Sequence, residues 1–261
     1  MALKYILPNF YDSYFCNLTI SQKLLQTKNI SGVYGTFPFS IFNGSYNNIA
    51  HEHICMYDDM KKIVTDYGML ADMIILDYGN SLIETFDFKD LYNQVILEEF
   101  AHKSNFYFAV TKIDFIEYLV EKYPTINIIL HQNYTRSHPS ENIQEIVDKY
   151  QNIKGIITSS FNLCSKVTNV FKIYLTPIHG CEECIQYEKC LYHDNISTLE
   201  FSEKSQFAEC SLRKYIHPES VVNRLNYIKQ YCDYIMFDTV VSQYQEEEYI
   251  YIEEILSNME E

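Results

Sequence analysis

The residues whose type and spacing most directly imply chemistry are four cysteines. Cys181, Cys184 and Cys190 form a C-x2-C-x5-C run, and Cys210 follows it. Thiolates are the ligands that zinc and iron-sulfur clusters take, and three of them within a short polar stretch do not read as core packing. Four-cysteine zinc sites usually come as two close pairs, whereas here one pair is followed by two singles at intervals of five and nineteen residues. That irregular spacing favours a [4Fe-4S] cluster held by Cys181, Cys184, Cys190 and Cys210, with Zn2+ as the alternative. His179 and His193 flank the run as replacement ligands, as partners behind the ligands, or simply as solvated loop residues. Cys16, Cys55, Cys164 and Cys232 are scattered along the chain and read as structural. A second set of candidates is Asp77, His131 and Asp238. Each directly follows an apolar run, and Asp77 and His131 in particular suit acid or base work beside a substrate.

These residues need a scaffold, and the chain supplies an alternation of short apolar runs and amphipathic stretches. Strands are expected at 3–7, 32–37, 73–76, 106–110, 126–130, 154–158, 171–175 and 234–237. Helical patterns lie at 56–67, 88–101, 113–123, 143–150 and 220–231. The third of these places Ile113, Ile116, Leu119 and Val120, with Tyr118 less well aligned, on one face. Strands separated by helices imply parallel pairing through right-handed crossovers. Eight of them predict an α/β fold, a (β/α)8 TIM-type barrel, with a doubly wound open sheet as the rival. The first and seventh connections fit the alternation least well, so an irregular or incomplete barrel is expected. The whole of 1–261 is taken as a single barrel domain, with a cysteine-rich insertion at about 179–212 after strand seven.

The strand ends are uniformly polar: Asn9, Thr36, Asp77 with Asn80, Thr111 with Lys112, His131-Gln132-Asn133, Thr158-Ser159-Ser160, Thr176 with His179, and Asp238-Thr239. In a barrel these ends would share one face with the cysteine run, the face on which such barrels place their active sites. Polar loops follow strands in any protein, so the argument rests on the set rather than on a single residue.

Composition narrows the partners. The formal charge is −15 over 261 residues, which disfavours nucleic acid because such binding relies on Lys and Arg displacing counterions. Anionic membrane surfaces are disfavoured on the same ground. No run of about 18 apolar residues would span a bilayer, and the first residues lack the apolar core of a signal peptide. A soluble cytoplasmic protein is expected, in keeping with clustered reduced thiols. A small-molecule or peptide substrate is anticipated, and a protein partner or an electron donor would accompany a redox cluster. The 24 Tyr and 16 Phe leave aromatic surface for an interface.

Other motifs carry less. The stretch 32–45, from Gly32 through Thr36-Phe37-Pro38 to Asn43-Gly44, has a turn signal and no phosphate-loop spacing; its aromatic residues suit either a substrate floor or a packed loop. His51 and His53 lie about 200° apart on a helix and on opposite sides of a strand, so they are no facial metal pair. There is no G-x-S-x-G elbow and no H-E-x-x-H. The stretch 246–256 reads as a closing amphipathic helix with Glu246, Glu247 and Glu248 on its solvated face.

The Gly-Thr-Phe-Pro stretch ending at Asn43-Gly44, the strand leading into Gly180-Cys181, and His193-Asp194-Asn195-Ile196-Ser197 resemble the iron-sulfur TIM-barrel proteins of the collagenase-like peptidase family. That resemblance implies a [4Fe-4S] barrel enzyme carrying out oxygen-independent hydroxylation of quinone precursors or RNA. The family spaces its cluster cysteines differently. The tight run is similar to part of the auxiliary-cluster motif of radical SAM maturases, while the C-x3-C-x2-C that would bind S-adenosylmethionine is absent. What carries over from either resemblance is a cluster-bearing barrel and no more. The expectation is a cluster-binding barrel enzyme acting at the carboxyl face of the strands in redox or radical modification, an oxidoreductase in the broad sense. The alternative is a zinc-stabilised barrel that serves as a binding or partner subunit without chemistry of its own.

Overall fold

The computed structural model describes residues 4–8, 30–35, 72–78, 91–180, 214–238 and 246–259. In chain order they form β1 (Lys4–Leu7), β2 (Ile30–Gly35), β3 (Met73–Tyr78), α1 (Leu91–Phe100), β4 (Phe106–Val110), α2 (Ile113–Lys122) and β5 (Ile128–Leu130). Then come α3 (Gln132–Ser137), α4 (Ser140–Lys149), β6 (Ile153–Thr158), α5 (Phe161–Lys166), β7 (Phe171–Pro177), β8 (His179–Gly180) and β9 (Lys214–Tyr215). The last elements are α6 (Pro218–Ile228), β10 (Tyr234–Asp238) and α7 (Glu246–Met259).

Eight of the strands close into a barrel in the order β1-β10-β7-β6-β5-β4-β3-β2. Every described pairing around the ring is parallel. The chain is an α/β protein with a (β/α)8 TIM-type barrel. The ring is complete, which corrects the expectation of a possible gap; its irregularity is confined to register shifts at Tyr5/Ile6 and Ile128/Ile129. The seventh connection contains the antiparallel β8-β9 ribbon and α6. The first connection and the helical pattern at 56–67 lie outside the described residues. Among the described residues no helix is long and apolar enough to cross a membrane.

Parallel strands buried on both faces need apolar residues at nearly every position, and this is why they were readable as short apolar runs. Alternation along each strand divides the core in two. Tyr5, Leu7, Ile74, Leu76, Phe108, Val110 and Ile156 face outward into the layer shared with the helices. Ile6, Tyr34, Met73, Ile75, Ala109, Ile129, Ile157, Ile173, Leu175 and Met236 fill the barrel interior. Helix α2 shows how the outer layer is bought from sequence. Phe115, Ile116 and Leu119 are buried, with Ile113, Tyr118 and Val120 partly so; Phe115 adds to the predicted face. Asp114 in the first turn and Lys122 in the last suit the helix dipole.

The interior floor, at the N-terminal ends of the strands, is aromatic. Phe171 meets Tyr107 edge-on at 5.6 Å and Tyr234 at 5.5 Å, and each such pair contributes about 1 kcal/mol beyond its buried area. The ring of Phe171 occupies the space over Gly155, its register partner on β6. A Cβ at Gly155 would stand 2.1 Å from that ring, so the two residues are one packing unit. Side-chain amides lace this same end. Asn127 Nδ2 donates to the carbonyls of Ser104 and Phe106, and Asn152 Nδ2 to those of Pro124 and Ile126. Asp233 accepts the N–H of Lys172 at 2.8 Å.

Candidate functional site

At the opposite end of the interior the apolar columns give way to polar residues. On β2, Tyr34 lies two residues beyond Gly32; on β3, Asp77 follows Met73 and Ile75; and His131 comes two residues after Ile129 of β5. The inward face of three strands therefore ends in a phenol, a carboxylate and an imidazole. They meet in space. His131 Nε2 is 3.0 Å from Tyr34 Oη and 3.5 Å from Asp77 Oδ1. His131 is fully buried, and Tyr34 and Asp77 are 1% and 3% exposed. Water can offset little of the cost of burying these groups, so each must rely on protein partners.

The other face of the imidazole is fixed by α3. His131 is its N-cap, and Nδ1 accepts the main-chain N–H of Asn133 at 3.1 Å. A nitrogen that accepts carries no proton, so the neutral ring bears its proton on Nε2, where it is donated to Tyr34. The backbone is tied as firmly. His131 N–H donates to the carbonyl of Val110 on β4, and the His131 carbonyl accepts from Tyr134 and Thr135. Thr135 Oγ1 then donates to the carbonyl of Ile157 at 2.7 Å, docking α3 on β6. His131 is thus held as a neutral donor in one orientation, beside a phenol and a carboxylate able to pass or accept a proton.

Of the three residues anticipated for catalysis, Asp77 and His131 are brought together. Asp238 is the last residue of β10, its backbone in register with Pro177; its side chain lies outside the described residues. Tyr34 was not among the candidates, because it reads from sequence as one member of an aromatic stretch. Its signal was positional: counting in twos from Gly32 puts it on the interior face at the end of a strand. The other polar strand ends divide by the same parity. Thr158 Oγ1 accepts the N–H of Ser160, whose own hydroxyl caps α5 through Leu163 N–H. Thr176 is fully buried on the Tyr174 side of β7, facing the helices rather than the interior. These two are corrections: they build turns and packing, not the mouth of the barrel. Asn9, Thr36, Asn80 and Thr239 lie outside the described residues.

Cys181, Cys184, Cys190 and Cys210, with His193, also lie outside the described residues, as do His51 and His53 and the Phe-rich part of 36–45. The roots of the cysteine segment are described. β8 follows directly from β7 at its C-terminal end, and it pairs with β9 through His179↔Tyr215 and Gly180↔Lys214. Gly180 and Lys214 therefore stand side by side, on the same end of the barrel as Tyr34, Asp77 and His131. Among the described residues no group of three or more His, Cys, Asp or Glu could hold a metal ion. The donor chemistry of the segment itself fits such a group: four thiols, with His179 before them and His193 between Cys190 and Cys210, on a stretch of chain whose flanking residues are paired.

The scattered cysteines behave as expected where they are described. Cys164 is buried in the outer core and Cys232 packs against it. Burial pushes both thiols up to about 12, which leaves them protonated and inert near neutral pH. One glutamate departs from expectation. Glu246 and Glu247 are exposed on α7 as predicted, but Glu248 is fully buried, because it shares the face of Tyr251, Ile252 and Ile255. Fold and site together define a (β/α)8 barrel with a polar constellation at the C-terminal mouth. No protein-family model and no curated protein matches the chain.

Proposed function

We propose that this chain is a barrel enzyme acting at the C-terminal mouth, in which Cys181, Cys184, Cys190 and Cys210 hold a [4Fe-4S] cluster and the Tyr34-His131-Asp77 group handles protons of the substrate. The observation that carries the reading is the shared address: the pinned roots of the cysteine segment and the buried polar trio lie at one end of one barrel. Barrels of this kind place chemistry at that end because their βα loops converge there. A bound cluster would supply electrons one at a time, suiting redox or radical modification of a small-molecule or peptide substrate. The chain's own part is proton handling and orientation. Asp77 offers an acceptor, Tyr34 a phenol proton, and His131, locked as the Nε2–H tautomer, keeps the phenol aimed and stabilises negative charge that develops on its oxygen.

The rival, a zinc-braced barrel without chemistry, draws on the same four thiols. Metal and acid-labile sulfide analysis on protein purified without oxygen separates the two. About four irons and four sulfides per chain, with a visible band lost on reduction, is expected; one zinc and no sulfide overturns the cluster. Asp77→Asn is expected to keep the full iron content while lowering turnover about a hundredfold or more. A variant that turns over normally removes Asp77 from the mechanism.

A further inference from the structure

The described part of the ribbon at the root of residues 181–213 is two residue pairs, His179↔Tyr215 and Gly180↔Lys214, and an isolated hairpin is marginal in water. Two further bonds secure it. Ile216 N–H donates to the carbonyl of Ile178 at 2.9 Å, extending the ribbon by one rung. The carbonyl of the same Ile216 accepts the phenol of Tyr251, which comes from α7, 35 residues further along the chain. The Tyr251 ring also stacks on that of Tyr215 in β9, with centroids 4.6 Å apart and planes 25° from parallel. Tyr251 is 7% exposed and Ile178 fully buried, so the contact is dry. Burial drives the Tyr251 phenol well above its ordinary range, against a smaller opposing pull from Arg224 on α6, in keeping with its role as a donor.

We propose that Tyr251 is a positioning residue: α7 latches the root of the cysteine segment, and that latch sets how firmly the segment retains its metal group. The second half rests on the reading that the segment holds a metal; the first half does not. Ring and phenol contribute separately, the ring by stacking on Tyr215 and the phenol by anchoring the Ile216 carbonyl, so Tyr251→Phe removes the anchor and keeps the stack. Tyr249→Phe, two residues earlier on α7, removes a phenol that donates to Glu253 of the same helix and serves as the control for loss of a tyrosine hydroxyl from that helix.

Two readouts on the full chain decide it. Amide hydrogen exchange at Ile216 should rise roughly fivefold in Tyr251→Phe, the equivalent of one net hydrogen bond, with exchange in β5 unchanged and Tyr249→Phe like the parent. Release of iron, or of zinc if that is the metal found, to an added chelator should quicken by a similar factor. Unchanged exchange at Ile216 overturns the latch. Faster exchange with unchanged metal release overturns the coupling between latch and metal. If the parent protein binds neither iron nor zinc, the metal-holding function fails and the coupling with it, while exchange at Ile216 still decides the latch alone.

Discussion

The two ends of the barrel interior are built on opposite principles. At the N-terminal end, Phe171, Tyr107 and Tyr234 pack edge to face over a glycine, and amides of Asn127 and Asn152 tie the strand starts to the main chain. The contacts described there are ring packing and amide bonds to the main chain. At the C-terminal end a phenol, an imidazole and a carboxylate are buried against each other. A hydrophobic trio of similar volume would hold that end together at lower cost. On the function proposed above, the difference separates residues that keep the barrel shut from residues that handle protons, and it does so inside one continuous set of strands.

Substitutions at the two ends should therefore fail differently. The largest loss of stability is expected at the floor. Gly155→Ala drives a methyl into the Phe171 ring and should cost about 3 kcal/mol, read as a lower urea midpoint. Gly155→Ala combined with Phe171→Ala should cost clearly less than the two single losses summed, because the ring that clashes is gone; strict additivity would show that the two do not form one unit.

At the mouth, His131→Ala removes a helix cap and a buried donor together, for about 2 kcal/mol. His131→Asn restores an oxygen that can accept the Asn133 N–H and so should recover about 1 kcal/mol of that. It does not restore the donor to Tyr34, so stability returns without turnover. Recovery of both would make His131 a cap and nothing more.

The smallest effect is chemical. Cys164 and Cys232 should resist iodoacetamide in the native protein near neutral pH, since burial holds both thiols protonated up to about 12. Their folded values lie above the unfolded thiol value of about 8.5. The stability they contribute is accordingly complete below that pH and shrinks as pH climbs toward 12. Rapid labelling of both in folded protein would contradict the burial.

Much of the barrel was legible because its physics is local. Phe106–Val110 is a strand by its apolar run alone, and α2 announces itself through the spacing of Ile116 and Leu119. The short helices α3 and α5 were not legible, since six residues give too little period to read and their stability comes from caps on His131 and Ser160. Glu248 was misplaced by its charge, although its spacing from Tyr251, Ile252 and Ile255 already put it on the buried face. In the site, Asp77 and His131 stood out because each ends an apolar run. Tyr34 did not, because an aromatic residue within an apolar strand looks like core until the parity of the strand is counted.

The most direct test of a cluster seated over the polar mouth is nitrogen-15 NMR of histidine- and tyrosine-labelled protein, purified without oxygen and compared before and after reduction to the paramagnetic state. The His131 ring nitrogens should broaden or shift strongly on reduction, while the Tyr107 and Tyr234 signals at the floor of the barrel stay sharp. A His131 signal as sharp as those of the floor, in protein shown to carry the iron, would place the cluster elsewhere and contradict the shared mouth.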